Sequence, residues 1–174
     1  ERVKQALDNT EGAVMASARV TDPQGKDLFS YWTLLPLWKD LLDTGLITRR
    51  LFKDMLNTPP YRLPNAGDEG SRLVDAVPGS FFMLKLGLLT PQEIKELFDS
   101  RIFLYYEEKV LGRKFQEMGL KTVLVTDESY VHAHSATIDK SLKRMVDKQR
   151  LLHQSKLYYY REYLHAGPAL MAAA

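Results

Sequence analysis

The chain has 174 residues, 45% hydrophobic and 26% charged, with a formal net charge of +2. Such a composition supports one good core with a helical annex. The absence of Cys excludes disulfides and thiolate metal sites. The small charge gives no argument for nucleic acid, and no apolar run approaches the roughly 20 residues of a spanning helix.

In chain order, "ERVKQALDNTEG" opens inside helical periodicity, without Met and without a signal-peptide pattern. Residue 1 therefore reads as an interior cut in a longer protein. Val3, Ala6 and Leu7 make one side of a short helix closed by Asn9 and Gly12. "AVMASARV" (Ala13 to Val20) is small and apolar throughout, which suits a buried strand. "TDPQGKD" is a turn. From Trp32 to Leu56, apolar residues recur at helical spacing with breaks near Pro36 and Gly45, so two short helices are expected. "NTPPYRLPNAGDEGS" is the most loop-like stretch.

"RLVDAVPGSFFMLK" returns to strand character, interrupted at Pro78-Gly79. Thr90-Pro91 starts a helix, with Thr90 as N-cap and Glu93 in the first turn. "RIFLYY" leads into a helix from Glu107 to Met118 ended by Gly119. "KTVLVT" is a buried strand, "SYVHAHS" a second short one. A long helix runs from about Ile138 to Leu164, with Leu142, Met145, Leu152, Tyr159 and Tyr163 along one side. The pattern is α/β, with too few strands for a complete doubly wound sheet.

The adjacent acids Glu107 and Glu108 raise a chemical question. Leu111, Phe115 and Met118 mark the buried face of their helix, and both acids precede Leu111 on the upward extension of that face. Lys109, Arg113 and Glu117 form the opposite stripe, where charge is routine. Helix capping would account for acids in a first turn. A pair of carboxylates partly shielded from water would instead have a raised pKa and serve as a general base.

His132 and His134 lie two apart, so in a strand both side chains point the same way and could supply two ligands to one metal. A surface pair is the plainer alternative. Gly79 and Ser80, at the bend of "VPGSFF", offer backbone N–H groups and a hydroxyl to a polar ligand, or form a simple turn.

Taken together, "DAVPGSFFML", "LFDSRIFLYYEEKVLGRKFQEMGLKTVLVTDESYVHAHS" and the "KS…SKLYYYREYL" helix resemble bacterial family 2 glycosyltransferases of the rhamnosyltransferase type. The likeness runs from "AVMASARVTDPQGK" onward and is densest from Val74 to Ser135. It implies the acceptor-side half of a GT-A fold, an incomplete mixed sheet flanked by helices, over residues 1–137, followed by a long C-terminal helix and tail over 138–174. It also implies inverting transfer of a sugar from a nucleotide-diphosphate sugar donor to a glycan or lipid-linked glycan acceptor, in the cytoplasm or at the inner face of the plasma membrane. Rhamnose as donor sugar is family analogy alone.

By the same resemblance Glu108 corresponds to the catalytic base, although the family usually has Asp there, and Glu107 to its supporting carboxylate. Gly79 and Ser80 fall in the loop below the donor and acceptor sugars. His132, less regularly His134, corresponds to a ligand of a divalent cation, Mg²⁺ or Mn²⁺. The Asp-x-Asp motif that should bind that ion is not in this chain, so the fragment alone is expected to be inactive. The C-terminal helix carries seven basic residues and three acids between Asp139 and Glu162. A peripheral membrane contact is one reading of that surplus, and packing of its tyrosines on the domain is the favoured one. A non-catalytic carbohydrate-binding or interaction module derived from a glycosyltransferase and a metal-dependent hydrolase using Glu108 and the histidines remain as alternative functions.

Overall fold

The computed structural model describes residues 1–44, 46–56, 70–102, 104–132, 145–168 and 171. Its elements, in order, are α1 (Arg2–Asn9), β1 (Ala13–Thr21), α2 (Leu37–Thr44), α3 (Leu46–Leu51), α4 (Lys53–Leu56), β2 (Ser71–Val74), β3 (Met83–Leu84), a 3₁₀ turn (Leu86–Leu88), α5 (Pro91–Lys95), α6 (Glu107–Glu117), β4 (Lys121–Val131) and α7 (Met145–Tyr163). The strands form one sheet in the order β2-β4-β1-β3. β1 and β4 are parallel, while β2 and β3 run antiparallel to their neighbours. The fold is thus α/β, with a mixed sheet flanked by helices and a long helix towards the C-terminus.

β1 is central and covered on both faces, which is why its sequence is apolar without alternation. On one face Ala13, Ala16 and Ala18 pack with Val3 and Leu7 of α1 and with Val123 and Val125 of β4. On the other, Val14 and Met15 meet Leu111 and Phe115 of α6, together with Val77, Leu89 and Leu97. Small side chains on the first face let α1 approach closely.

Helix punctuation follows the sequence. Thr90 and Glu93 complete a reciprocal capping box ahead of Pro91. α6 ends where Gly119 adopts φ +70° and the Leu120 N–H reaches back to the Phe115 carbonyl at 2.8 Å, a Schellman closure.

Four expectations need correction. In place of two short helices between Trp32 and Leu56, the described residues form three, α2, α3 and α4, and Trp32 stands ahead of them in an isolated bridge to Ala76. "KTVLVT" and "SYVHAHS" do not make two strands: β4 runs unbroken for 11 residues. Its register with β1 jumps from Ala18↔Val125 to Arg19↔Ser129. Thr126, Asp127 and Glu128 are accommodated as a bulge, tied by Arg19 Nε to the Thr126 carbonyl at 2.7 Å and by an Arg2–Asp127 ion pair. The strand expected across "RLVDAVPGSFFMLK" shrinks to four residues of β2, two of β3 and a single bridge between Ala76 and Trp32.

The outer stripe of α6 is not outer. Lys109 Nζ lies 2.8 Å from Asp40 of α2, and Arg113 donates to the Leu35 carbonyl at 3.3 Å. Val110 packs with Tyr159 and Tyr160 of α7. α6 is therefore sandwiched between the sheet and α7, and its cations are the contacts that bridge to the covering layer. Spacing within one helix cannot reveal a second partner that docks on the polar side. The tyrosines of α7 are packed as favoured, and Lys156, only 7% exposed, lies with its Nζ 5.5 Å from the Tyr160 ring centroid. Expectations for residues 57–69, for the start of the last helix at 138–144 including Leu142, and for His134 lie outside the described residues.

Candidate active site

Two backbone features fix the head of α6. Gly112 is the first: a Cβ there would stand 2.4 Å from the Asp75 carbonyl oxygen and 3.0 Å from the Ala76 Cβ. Glycine costs about 1 kcal/mol in a helix interior relative to alanine, and here it permits the helix to touch the segment leading into Pro78-Gly79. Close approach, not a turn, explains this glycine.

The second is the pair Tyr105 and Tyr106, both at φ +67°. Left-handed backbone at a non-glycine residue costs on the order of 1–3 kcal/mol and persists only where surroundings over-determine it. Here the Tyr106 ring centroid lies 5.3 Å from that of Tyr159, Lys109 Nζ sits 4.8 Å from the Tyr106 centroid, and Ser155 of α7 donates to the Leu104 carbonyl at 2.7 Å. The chain is thereby turned sharply into α6, whose N-cap Tyr106 makes no side-chain cap. There the Glu107 carboxyl meets its own backbone N–H.

Glu107 and Glu108 are both half-buried, and they face different neighbours. Glu108 turns towards the bend: its Oε1 accepts the Gly79 N–H at 3.3 Å. Among the described residues its Oε2 takes no hydrogen bond. Glu107 lines a pocket of about 260 Å³ with Leu97, Phe98, Asp99, Ser100, Ile102, Val110 and Leu111. Burial pushes the Glu107 carboxyl above its ordinary range; its own backbone N–H opposes this, and the Glu108 charge adds to the rise. The Glu108 charge thus reaches Glu107, while the two acids open on two separate surfaces.

Ser80 is exposed on the same bend and shares a 2.6 Å hydrogen bond with the Tyr130 hydroxyl. Tyr130 also stacks obliquely on Phe81, ring centroids 5.2 Å apart. Burial raises the Tyr130 phenol, bonds to Ser80 and Ser17 oppose the rise, and the Glu108 charge again contributes. His132 lies two residues further along the same chain, half-buried, its N–H bonded to the Thr21 carbonyl at 2.9 Å. Alternation puts its ring on the same side as Tyr130.

Glu108, Gly79 and Ser80 are therefore brought together at the bend, with Tyr130 beside them and His132 just past the end of β4, while Glu107 faces the separate pocket that Asp99 also lines. Tyr130 and Asp99 were not singled out from sequence. For Tyr130 a signal existed: it precedes His132 by one strand period. Among the described residues no group of three or more His, Asp or Glu gathers as metal ligands. One imidazole does not amount to a site for a hard divalent ion, which favours several oxygens.

No family model, curated protein or solved structure matches the chain. Among the described residues no helix is long and apolar enough to cross a membrane.

Proposed function

We propose that the chain is the acceptor-side part of a GT-A glycosyltransferase that moves a sugar from a nucleotide-diphosphate donor to a glycan or lipid-linked glycan acceptor. The observation that carries this reading is the state of Glu108: a half-buried carboxylate with one oxygen oriented by the Gly79 N–H and the other without a hydrogen bond among the described residues. That is what a general base requires, since one oxygen must be fixed while the other meets the substrate hydroxyl within about 2.6–3.2 Å.

In the proposed step Glu108 removes the acceptor hydroxyl proton as that oxygen bonds to the anomeric carbon. The bond from that carbon to the diphosphate oxygen breaks, its electron pair leaves with the nucleoside diphosphate, and configuration inverts. Such transfers pass through oxocarbenium-like transition states, so a nearby carboxylate charge is also favourable electrostatically. Glu107 borders the 260 Å³ pocket, large enough for one sugar ring, where Phe98 is 62% exposed and offers an apolar face. His132 is a candidate minor ligand of a divalent cation, Mg²⁺ or Mn²⁺, whose oxygen ligands the described residues do not supply.

The test is Glu108→Gln in a complete enzyme containing this segment. Transfer should fall by about 10²–10⁴-fold, with donor binding retained by calorimetry. Turnover that survives the substitution would remove Glu108 from the role. A second reading, sugar binding without transfer, is favoured by the exposed Phe98 beside an apolar pocket. It predicts glycan binding by the isolated chain that Phe98→Ala abolishes and Glu108→Gln leaves intact.

A further inference from the structure

Three consecutive residues of the bend are each tied to a different element. Gly79 donates its N–H to Glu108 of α6, Ser80 shares its hydroxyl bond with Tyr130 of β4, and the Phe81 carbonyl accepts from Ser17 of β1 at 2.7 Å. The three ties differ in kind. Ser17 is fully buried and meets a main-chain carbonyl, an arrangement the core would require in any case. The Gly79–Glu108 bond is long at 3.3 Å and is made by an exposed residue. Ser80 is exposed as well, so water could satisfy its hydroxyl at little cost. A 2.6 Å bond from an exposed serine to a half-buried phenol adds little to folding, yet it restrains the residue next to the carboxylate's only N–H donor among the described residues.

We infer that Tyr130 is a positioning residue for Glu108, acting through Ser80 to hold the Gly79 N–H against the carboxylate. The inference rests on Glu108 being the base for its functional meaning; its geometry stands apart from that role. Deleting the phenolic oxygen frees Ser80, lets the bend rotate about its remaining tie at Phe81, and leaves Oε1 to water. The β4 bulge at Thr126–Glu128 is part of the device, because the register jump sets where Tyr130 falls along the strand. Gly79 suits the arrangement too: a Cβ there would lie 3.4 Å from Glu108 Oε1, lining with a methyl group the oxygen that the N–H addresses.

The experiment follows the Gly79 amide proton by ¹H–¹⁵N spectroscopy on this chain through an acid titration. In the unmodified protein the amide shift should track ionisation of the carboxylate, and Glu108→Gln should abolish that response. Tyr130→Phe and Ser80→Ala should each reduce the amplitude at least about twofold, while Ser80→Thr, which keeps a hydroxyl, should restore it. Ser80→Ala alters an exposed side chain, so the measurement survives even if Tyr130→Phe fails to fold. An undiminished response in a folded Ser80→Ala, or a Gly79 amide indifferent to Glu108→Gln, would overturn the proposal. Sugar transfer is not measured at any point. Loss of Glu108 as base would therefore appear only in the turnover assay, and loss of the Tyr130 tie only in the amide titration.

Discussion

Asp99 and Glu107 line the same pocket, and the protein treats them in opposite ways. Asp99 collects donors: the hydroxyls of Tyr158 at 2.8 Å and Tyr163 at 2.7 Å, and the Arg101 guanidinium at 2.9 and 3.1 Å. Burial alone would push its carboxyl up, but the bonds from Arg101, Tyr163 and Tyr158 outweigh it and hold Asp99 well below the usual carboxylate range. Burial first, and then the bond to Asp99, push the Tyr158 phenol up to about 12. Among the described residues Glu107 has only its own backbone N–H against burial, and its carboxyl is raised. One acid is saturated with donors and joins α7 to the loop before α6; the other is left undersatisfied at the pocket wall. Bonded-out carboxylates hold segments together, whereas a half-buried, undersatisfied one in a pocket is a candidate for a site. A list of acids around a cavity does not separate the two, whereas their donors do.

The most disruptive way to break this contrast is Gly112→Ala. A methyl 2.4 Å from the Asp75 oxygen cannot be accommodated without moving α6 away from the Asp75–Ala76 backbone. Overpacking of this kind outweighs the roughly 1 kcal/mol gained in helix propensity. A net loss of about 3 kcal/mol is expected by urea denaturation, together with loss of the Gly79–Glu108 contact. A stable Gly112→Ala protein with native amide shifts at Gly79 would show that the close approach does not position the acids.

Asp99→Asn comes next. It keeps the shape but removes the charge that two phenols and a guanidinium address, and should cost about 2–3 kcal/mol at neutral pH. The sign with pH follows from the lowered native value. Asp99 contributes its stability above the ordinary aspartate value of about 3.9 and loses it as pH falls through the lower native one. The gap between the two proteins should therefore be full at pH 7 and close only in strong acid. A gap independent of pH would mean that hydrogen-bond acceptance rather than charge holds the corner.

Much of this architecture was legible in the chain. β1 could be read because strands covered on both faces lack alternation, and the ends of α6 because Gly119 and the acids punctuate it. The bend at Pro78-Gly79 was readable as a break between two apolar runs. What approaches it, Glu108, was not, since that contact spans 29 residues. The sandwiching of α6 escaped because Lys109 and Arg113 look like solvent residues until Asp40 and Tyr159 arrive from distant segments. The left-handed pair Tyr105–Tyr106 was illegible for a different reason: intrinsic preference opposes it, and only tertiary contacts with α7 hold it there.

The smallest effect, and the one with the opposite sign, belongs to Glu107→Gln. An acid whose native pKa is raised binds its proton more tightly folded than unfolded, so it costs nothing below the ordinary glutamate value of about 4.3. As pH rises above that value, the unfolded chain ionises first and the folded state loses ground until the raised native value is passed. Glutamine removes that penalty and the repulsion from Glu108. Thermal or urea unfolding should find Glu107→Gln indistinguishable from the unmodified chain in acid and about 0.5 kcal/mol more stable at neutral pH. Asp99→Asn should be less stable under the same conditions. If both substitutions destabilise at pH 7, Glu107 is as bonded-out as Asp99, and the pocket loses its undersatisfied wall. If Glu107→Gln stabilises, the protein tolerates a carboxylate that its own folding would gain by neutralising, as expected of a group kept for what it does to a ligand.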